Sequence, residues 1–329
     1  MDEIYDVIII GGGPAGLAAA LYTSRDRYKT LIVEKFMPGG QINNTNRIEN
    51  YPGIIQIDGP TLIQNMQKQA ENFGTEIKTG SEVEKLEKMD DGNISLVCNG
   101  ETLTTKVVIL TPGSSYRHLD IPGEKEFGGS GVSYCGTCDA PFFRGKHVVS
   151  IGGGNTAVEE TLHLVKFAQK VTMIHRRDAF RASQVLVEEL MEEAKKPDTN
   201  LEIKYNTVAR AIQGDKKVQS IKLKNVKDDT EEDYPCDGVF IFVGMVPNTD
   251  FLKGFVELTE WGFINCDCGY LRTSVPGVFA AGDCRIGASM QLATAVGDGV
   301  VAAMMMKQYL RDRKWWNTPV SDLYQPTGW

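Results

Sequence analysis

The sequence is short of everything that would place it on a membrane or on a nucleic acid. None of its 329 residues falls in an apolar run approaching the roughly 20 that a bilayer-spanning helix needs. Positive charge is in deficit, 35 Lys and Arg against 43 Asp and Glu for a net charge of −8, and no basic stripe stands out to meet a phosphate backbone. The acidic start Met1-Asp2-Glu3-Ile4-Tyr5-Asp6 lacks the basic flank of a secretory signal. Low-complexity tracts are absent. Cysteine is sparse and odd in number, seven in all, which is not the framework of a disulfide-stapled secreted domain. One Cys-x-x-Cys stands alone at Cys135 and Cys138, with no second such pair and no His pair to complete a zinc site, so no metal is expected. What remains is an ordinary globular composition, 42% hydrophobic and 24% charged, in a chain long enough for about two domains. These features predict a soluble protein of a reducing cytoplasm.

What is present is more specific. Gly11-x-Gly13-x-x-Gly16 follows the apolar run Val7–Ile10, and Gly152-x-Gly154-x-x-Ala157 follows Val148–Ile151. A dinucleotide fingerprint needs a tight turn leaving a strand, a backbone bare enough to approach a pyrophosphate, and a helix packed close behind. Both matches have that context, with helices expected over 15–25 and 157–167. The helix N-terminus then offers unpaired N–H groups to the anion.

The residues that follow separate the two ligands. The next strand of the first unit ends at Glu34, 23 positions after Gly11, and that of the second ends at His175, 23 positions after Gly152. An acid there accepts hydrogen bonds from ribose hydroxyls and repels a 2′-phosphate, so the first site suits FAD, or NAD. The second unit continues His175-Arg176-Arg177 with Arg181 beyond, a set of guanidiniums able to gather on one phosphate, which suits NADPH; a solvated basic face is the plainer alternative.

The expected fold class is α/β, two dinucleotide-binding (Rossmann-like) domains with the second inserted in the first. Residues 1–114 and 245–329 form the FAD domain, and 115–244 form the NADPH domain carrying the Cys-x-x-Cys. Apolar strands are expected near 107–110 and 238–243, a turn-rich connector over 119–124, and two crossing segments that let the inner domain rotate. Two nucleotide sites and a vicinal dithiol are the parts needed to pass electrons from a nucleotide to a disulfide. In such exchange a thiolate attacks a disulfide sulfur and a nearby second thiol resolves the mixed disulfide.

The chain resembles the low-molecular-weight thioredoxin reductases over nearly its whole length. The resemblance is carried by the N-terminal fingerprint, Gly39-Gly40-Gln41, Asn50-Tyr51-Pro52-Gly53, Cys135-Gly136-Thr137-Cys138-Asp139, Gly152–Ala157, His175-Arg176-Arg177 and Ala280-Ala281-Gly282-Asp283. It implies FAD contacts from Gly11, Gly13, Gly16, Glu34, Gly40, Gln41, Asn50, Val83, Asp283 and Gln291. It implies NADPH contacts from Gly152, Gly154, Ala157, His175, Arg176, Arg177 and Arg181, together with a homodimer and a thioredoxin-like protein substrate. In the family pattern Cys138 faces the flavin, Cys135 attacks the external disulfide, and Asp139 shuttles a proton.

Two departures from that pattern bear on the electron donor. The family's Arg-Gln pair before the last flavin-binding helix is Met290-Gln291 here, with Arg285 as a substitute cation. Three of the four tryptophans, Trp315, Trp316 and Trp329, fall after Tyr309. Indoles gain by burial, so three placements are open: packing on the chain's own domain or across a dimer, a partner-docking patch, or stacking on the flavin. Stacking on the flavin would point to a relative reduced by ferredoxin in place of NADPH. Among the remaining cysteines, Cys266 and Cys268 are expected on opposite faces of a strand and as an incidental pair, Cys284 beside the flavin and inert, and Cys98 and Cys236 as core or surface residues.

Overall fold

The structure, a computed structural model, describes residues 4–45 and 47–319. The chain divides into two compact units, Met1–Ser115 with Val246–Trp329, and Tyr116–Met245.

The first unit begins with β1 (Ile4–Ile10), α1 (Pro14–Arg25) and β2 (Thr30–Val33), then α2 (Gly59–Glu71) and β3 (Glu76–Lys78). A meander of β4 (Val83–Lys88), β5 (Ile94–Cys98) and β6 (Glu101–Leu110) follows. β1 pairs in parallel with β2 and β6, and β2 with β3. The ten-residue β6 carries antiparallel β5 along its first half and a late parallel strand along its last three residues. Because successive side chains leave a strand on opposite faces, β1 feeds two cores. Val7 and Ile9 join α1 and the C-terminal helix, whereas Ile8 and Ile10 pack with Leu86, Leu96 and Val108 under the meander. Strands covered on both faces read as unbroken apolar runs, which is why Val7–Ile10 shows no alternation.

The chain crosses at β7 (Ser114–Tyr116) into the second unit. That unit holds β8 (Val132–Ser133), α3 (Gly136–Asp139), β9 (His147–Gly152), α4 (Asn155–Val165), β10 (Lys170–Ile174), α5 (Gln184–Lys195), β11 (Leu201–Lys204), the hairpin strands β12 (Thr207–Gly214), β13 (Val218–Asn225) and β14 (Glu231–Pro235), and β15 (Gly238–Phe242). Its sheet runs β11-β10-β9-β15-β8, every pair parallel. One core lies under α4 and α5, with Val148, Val171, Met173 and Phe240 facing it. The other lies under the antiparallel β12–β14 layer, with Val149, Ile151, Ile174 and Val239 facing that side. The return is β16 (Met245–Pro247), which pairs with β7, followed by β17 (Val278–Ala280) on β6 and α6 (Leu292–Arg311).

α6 lies very close to α1. A Cβ on Gly299 would sit 2.1 Å from the Ala15 carbonyl oxygen, so small residues on both helices set this approach. Among the described residues no helix is long and apolar enough to cross a membrane.

Candidate nucleotide and dithiol sites

At the end of β1 the backbone turns through Gly11 at φ +108°, where a Cβ would lie 2.3 Å from the Thr111 carbonyl oxygen. The Thr111 hydroxyl, one strand away, donates to the carbonyls of Ile10 (3.0 Å) and Gly11 (2.8 Å) and pins the turn. A Cβ on Gly16 would meet the Gly11 oxygen at 2.0 Å, so glycine here lets α1 press against the loop. α1 starts at Pro14, after Gly13, with no side chain capping its N-terminus. The first turn of a twelve-residue helix is thus left open over a loop with no side chains in the way, which fits a pyrophosphate.

Glu34 follows β2 immediately. Its Oε2 accepts from Gly12 N–H at 2.6 Å and its Oε1 from Phe36 N–H at 2.8 Å, leaving lone pairs on both oxygens for ribose hydroxyls. Gly39 N–H donates to the Gly12 carbonyl (2.8 Å) and brings the 3-10 turn Gly40–Asn44 to the fingerprint. Gln41 Nε2 donates to the Ser114 carbonyl, and Asn50 Nδ2 lies 3.5 Å from Gln291 Oε1. Val83 is different: its side chain is buried with Val33 and Leu86, so it has only backbone to offer a ligand. Asp283 follows Gly282, whose N–H donates to Asp298 Oδ2 at 2.9 Å. Burial, then the charge of Asp298, push the Asp283 carboxyl up to about 6, against the pull of Arg285.

The second fingerprint repeats the plan in its own unit. A Cβ on Gly152 would lie 2.5 Å from both Ala157 Cβ and the Phe242 oxygen, and Gly154 precedes the uncapped start of α4. The loop after β10 folds back onto this turn: Arg181 N–H donates to the Gly153 carbonyl (2.7 Å) and Ser183 N–H to Asn155 Oδ1 (2.8 Å). Arg176, Arg177 and Arg181 are exposed on that loop, and among the described residues none is paired with a carboxylate.

The sequence reading places His175 among the nucleotide contacts. In the structure its ring is buried, with Nδ1 2.8 Å from the Gly152 carbonyl and Nε2 3.0 Å from that of Ala179. Burial holds its pKa below the ordinary histidine value, so the neutral ring donates to one carbonyl at a time. Both ring nitrogens of His175 are turned to backbone carbonyls, so the ring shapes the turn.

Cys135 and Cys138 form a disulfide, with Cα atoms 5.3 Å apart. Cys135 caps the one-turn helix α3, its Sγ accepting from Cys138 N–H at 3.1 Å. Asp139 accepts from the Ser133 hydroxyl at 2.6 Å. Burial raises the Asp139 carboxyl above the usual carboxylate range, and the Ser133 bond only partly offsets this. A carboxyl that holds its proton more tightly than usual, next to a dithiol, can hand that proton to a departing thiolate.

The model of the pyridine nucleotide-disulphide oxidoreductase family matches residues 5–299. A thioredoxin reductase of Listeria innocua is 42% identical over 317 residues, spanning 95% of this chain and 96% of its own length. That of Bacillus subtilis is 40% identical over 314 residues, spanning 94% of this chain and 96% of its own length. The crystal structure of thioredoxin reductase from Streptococcus pyogenes superposes with a TM-score of 0.88 at 40% identity, covering 94% of this chain and 99% of that one. The chain belongs to the low-molecular-weight thioredoxin reductases. As a member of that family it is a flavin-dependent disulfide oxidoreductase.

Within that family two further expectations from the sequence need correction, and one placement left open is decided. Arg285 is no substitute cation for the position of Met290: it is buried and held by Asp298 through Nε (2.6 Å) and Nη2 (2.8 Å). Met290 adopts φ +53°, a conformation costly for its side chain, with its sulfur 4.0 Å from Ser114 Oγ. Cys266 and Cys268 lie in a loop, not a strand, and only Cys268 is exposed. Trp316 is buried edge-on against Phe279 and Tyr309. Trp315 lies under the Arg272 guanidinium, which also donates to the carbonyls of Trp316 (2.9 Å) and Thr318 (3.0 Å). These two indoles therefore pack on their own unit. Trp329 and the segment from residue 320 lie outside the described residues.

The sequence reading missed Thr111, Asp298, Glu124 and Glu160. Asp298 had one available signal, a carboxylate between two glycines (Gly297-Asp298-Gly299) in an apolar helix. Thr111 and Glu160 bond across 100 and 23 residues, whereas Glu124 bonds within ten, to His118, Leu119 and Tyr134, in a connector that carries no motif.

Proposed function

We propose that this chain transfers two electrons from NADPH, through FAD, to the disulfide of a thioredoxin-like protein. The observation that carries the reading is the Cys135–Cys138 disulfide beside Asp139, in the same unit as a glycine turn overhung by three unpaired arginines. The first fingerprint with Glu34 and Asp283 would hold FAD, and the second with Arg176, Arg177 and Arg181 would hold NADPH. FAD, when bound, supplies the step between a two-electron hydride donor and a disulfide.

The chain's own part is thiol exchange. In the reduced form Cys135 attacks a sulfur of the partner's disulfide, forming a mixed disulfide and releasing the first partner thiolate. Cys138 then attacks Cys135 Sγ, which restores the Cys135–Cys138 bond and releases the second. Asp139 supplies a proton to a leaving thiolate and recovers it from the next thiol. Five free cysteines fit work in a reducing cytoplasm, and a homodimer is part of the same reading.

The test is anaerobic mixing of the yellow protein with excess NADPH while following flavin absorbance, then addition of oxidised thioredoxin. Rapid bleaching followed by reoxidation is expected. Bleaching by reduced ferredoxin but not by NADPH would overturn the donor, and bleaching without transfer to thioredoxin would overturn the acceptor.

A further inference from the structure

The two residues between the cysteines answer to a side chain outside the motif. Thr137 N–H donates to Glu160 Oε2 at 2.6 Å, and the Thr137 hydroxyl donates to Glu160 Oε1 at 3.0 Å. A Cβ on residue 136 would lie 2.3 Å from Glu160 Oε2, so Gly136 leaves the carboxylate room to close on the turn. Glu160 belongs to α4, the helix that starts at the second fingerprint. On the other side of the motif, Tyr134 O–H donates to the buried carboxylate of Glu124 at 2.8 Å, and Glu124 also meets Leu119 N–H and His118 Nδ1. The turn is thus gripped from two elements. The titratable groups bonded to it are Glu160 from α4, Asp139 on the turn itself, and Tyr134 with Glu124 and His118 before it. Of the carboxylates, Glu160 is the one bonded between the two sulfur-bearing residues.

We propose that Glu160 is a positioning residue of the dithiol: through Thr137 it fixes the Cys135–Cys138 turn to the nucleotide-bearing helix and, as an anion against that turn, restrains thiolate formation in the reduced enzyme. This rests on the pair being the redox centre. The physical basis is that a negative charge beside a thiol disfavours its ionisation, and the thiolate is the reactive form. Glutamine at 160 keeps an acceptor for Thr137 N–H and removes the charge.

The experiment uses the FAD-loaded enzyme, reduced with dithiothreitol, freed of it, and alkylated with iodoacetamide at neutral pH. Modification at Cys135 and Cys138 is followed by mass spectrometry. Glu160→Gln should alkylate about twofold faster than wild type, the net of a larger thiolate fraction and a slightly weaker nucleophile when one nearby charge is removed in a solvated setting. An unchanged or slower rate in a variant that retains its flavin overturns the electrostatic part. Thr137→Val removes one of the two bonds and leaves the charge. It should slow thioredoxin-dependent turnover about threefold with the KM for NADPH unchanged, about what one hydrogen bond contributes; full turnover would overturn the positioning part. Alkylation needs neither NADPH nor thioredoxin, so a wild type that NADPH fails to bleach would count against the proposed function while leaving this result readable.

Discussion

The two fingerprints make the same turn and differ in what braces it. In the first unit the residue 23 positions after the opening glycine is Glu34, whose carboxylate accepts from Gly12 N–H. In the second it is His175, whose ring meets the Gly152 carbonyl. Each bonds back to its own glycine loop, one as acceptor and the other, when its Nδ1 carries the proton, as donor. The position is therefore a brace in both units, and its charge is a second matter. Glu34 braces its loop with lone pairs to spare on both oxygens, whereas His175 is a buried neutral brace and the exposed charge of the second unit lies beyond it, on Arg176, Arg177 and Arg181. On the proposed reading, the fingerprint and its brace mark where a nucleotide would sit, and the charge left free beside them would select which one.

The thiols offer the sharpest contrast between the units. Cys284 of the first unit is fully buried, its sulfur against the Leu110 and Ala281 carbonyls, and burial drives its pKa far above the ordinary thiol value. Cys138 of the second unit is partly exposed and disulfide-bonded. Cys138→Ser should cut NADPH-dependent thioredoxin reduction by roughly a thousandfold or more, since no resolving thiol remains. Cys284→Ser should leave it within about twofold. Steady-state turnover of both variants checks this, and comparable losses would break the contrast.

The nucleotide preference comes next in size. Replacing both Arg176 and Arg177 by Ala should raise the KM for NADPH about a hundredfold, from roughly 1.5 kcal/mol for each charge-assisted phosphate contact. The KM for NADH should move by no more than about twofold. An equal loss for both nucleotides would mean that the arginines hold the loop and not the 2′-phosphate. Glu34→Ala should weaken FAD about tenfold to thirtyfold, in line with loss of charged hydrogen bonds to Gly12, Phe36 and ribose. Flavin fluorescence on dilution measures it. Unchanged retention would show that Glu34 braces nothing the ligand needs.

How far this could be read from sequence follows from what each residue depends on. The fingerprints, their strands and the Cys-x-x-Cys are local patterns, because a glycine turn between an apolar run and a helix is specified by neighbours in the chain. The expected helices at 15–25 and 157–167 fall on α1 and α4 within two residues at each end. Thr111 is tied to Gly11 across 100 residues and Asp298 to Arg285 across 13. Glu160 is tied to Thr137 across 23, through a helix whose face cannot be assigned before the sheet is known. Arg285 shows the opposite error: its position five residues before Met290 made it look available, and only the fold reveals the carboxylate that already holds it. Polar pairs in three dimensions decided the details that motif spacing left open.

The smallest expected effect separates ligand binding from folding within the first unit. Asp283 has its carboxyl raised from 3.8 to about 6, chiefly by burial and then by Asp298. For a group raised on folding, the stability linked to its proton is fully present below the unfolded value and is lost as pH rises through the folded one. Wild-type protein stripped of FAD should therefore lose stability from this group between about pH 4 and pH 6, and Asp283→Asn should not. At pH 7.5 the variant is expected to be more stable by about 1–2 kcal/mol, less than the full linkage because the carboxyl keeps partial access to solvent. Urea unfolding at pH 4.5 and 7.5 measures the difference, which should shrink at the lower pH. The same variant should bind FAD more weakly if the carboxylate faces the cofactor, so that one substitution strengthens the empty unit and weakens the loaded one. A variant less stable than wild type at both pH values would mean that Asp283 is held by partners that make its charge favourable, and that its elevated pKa is not the cost of keeping a carboxylate ready for a ligand.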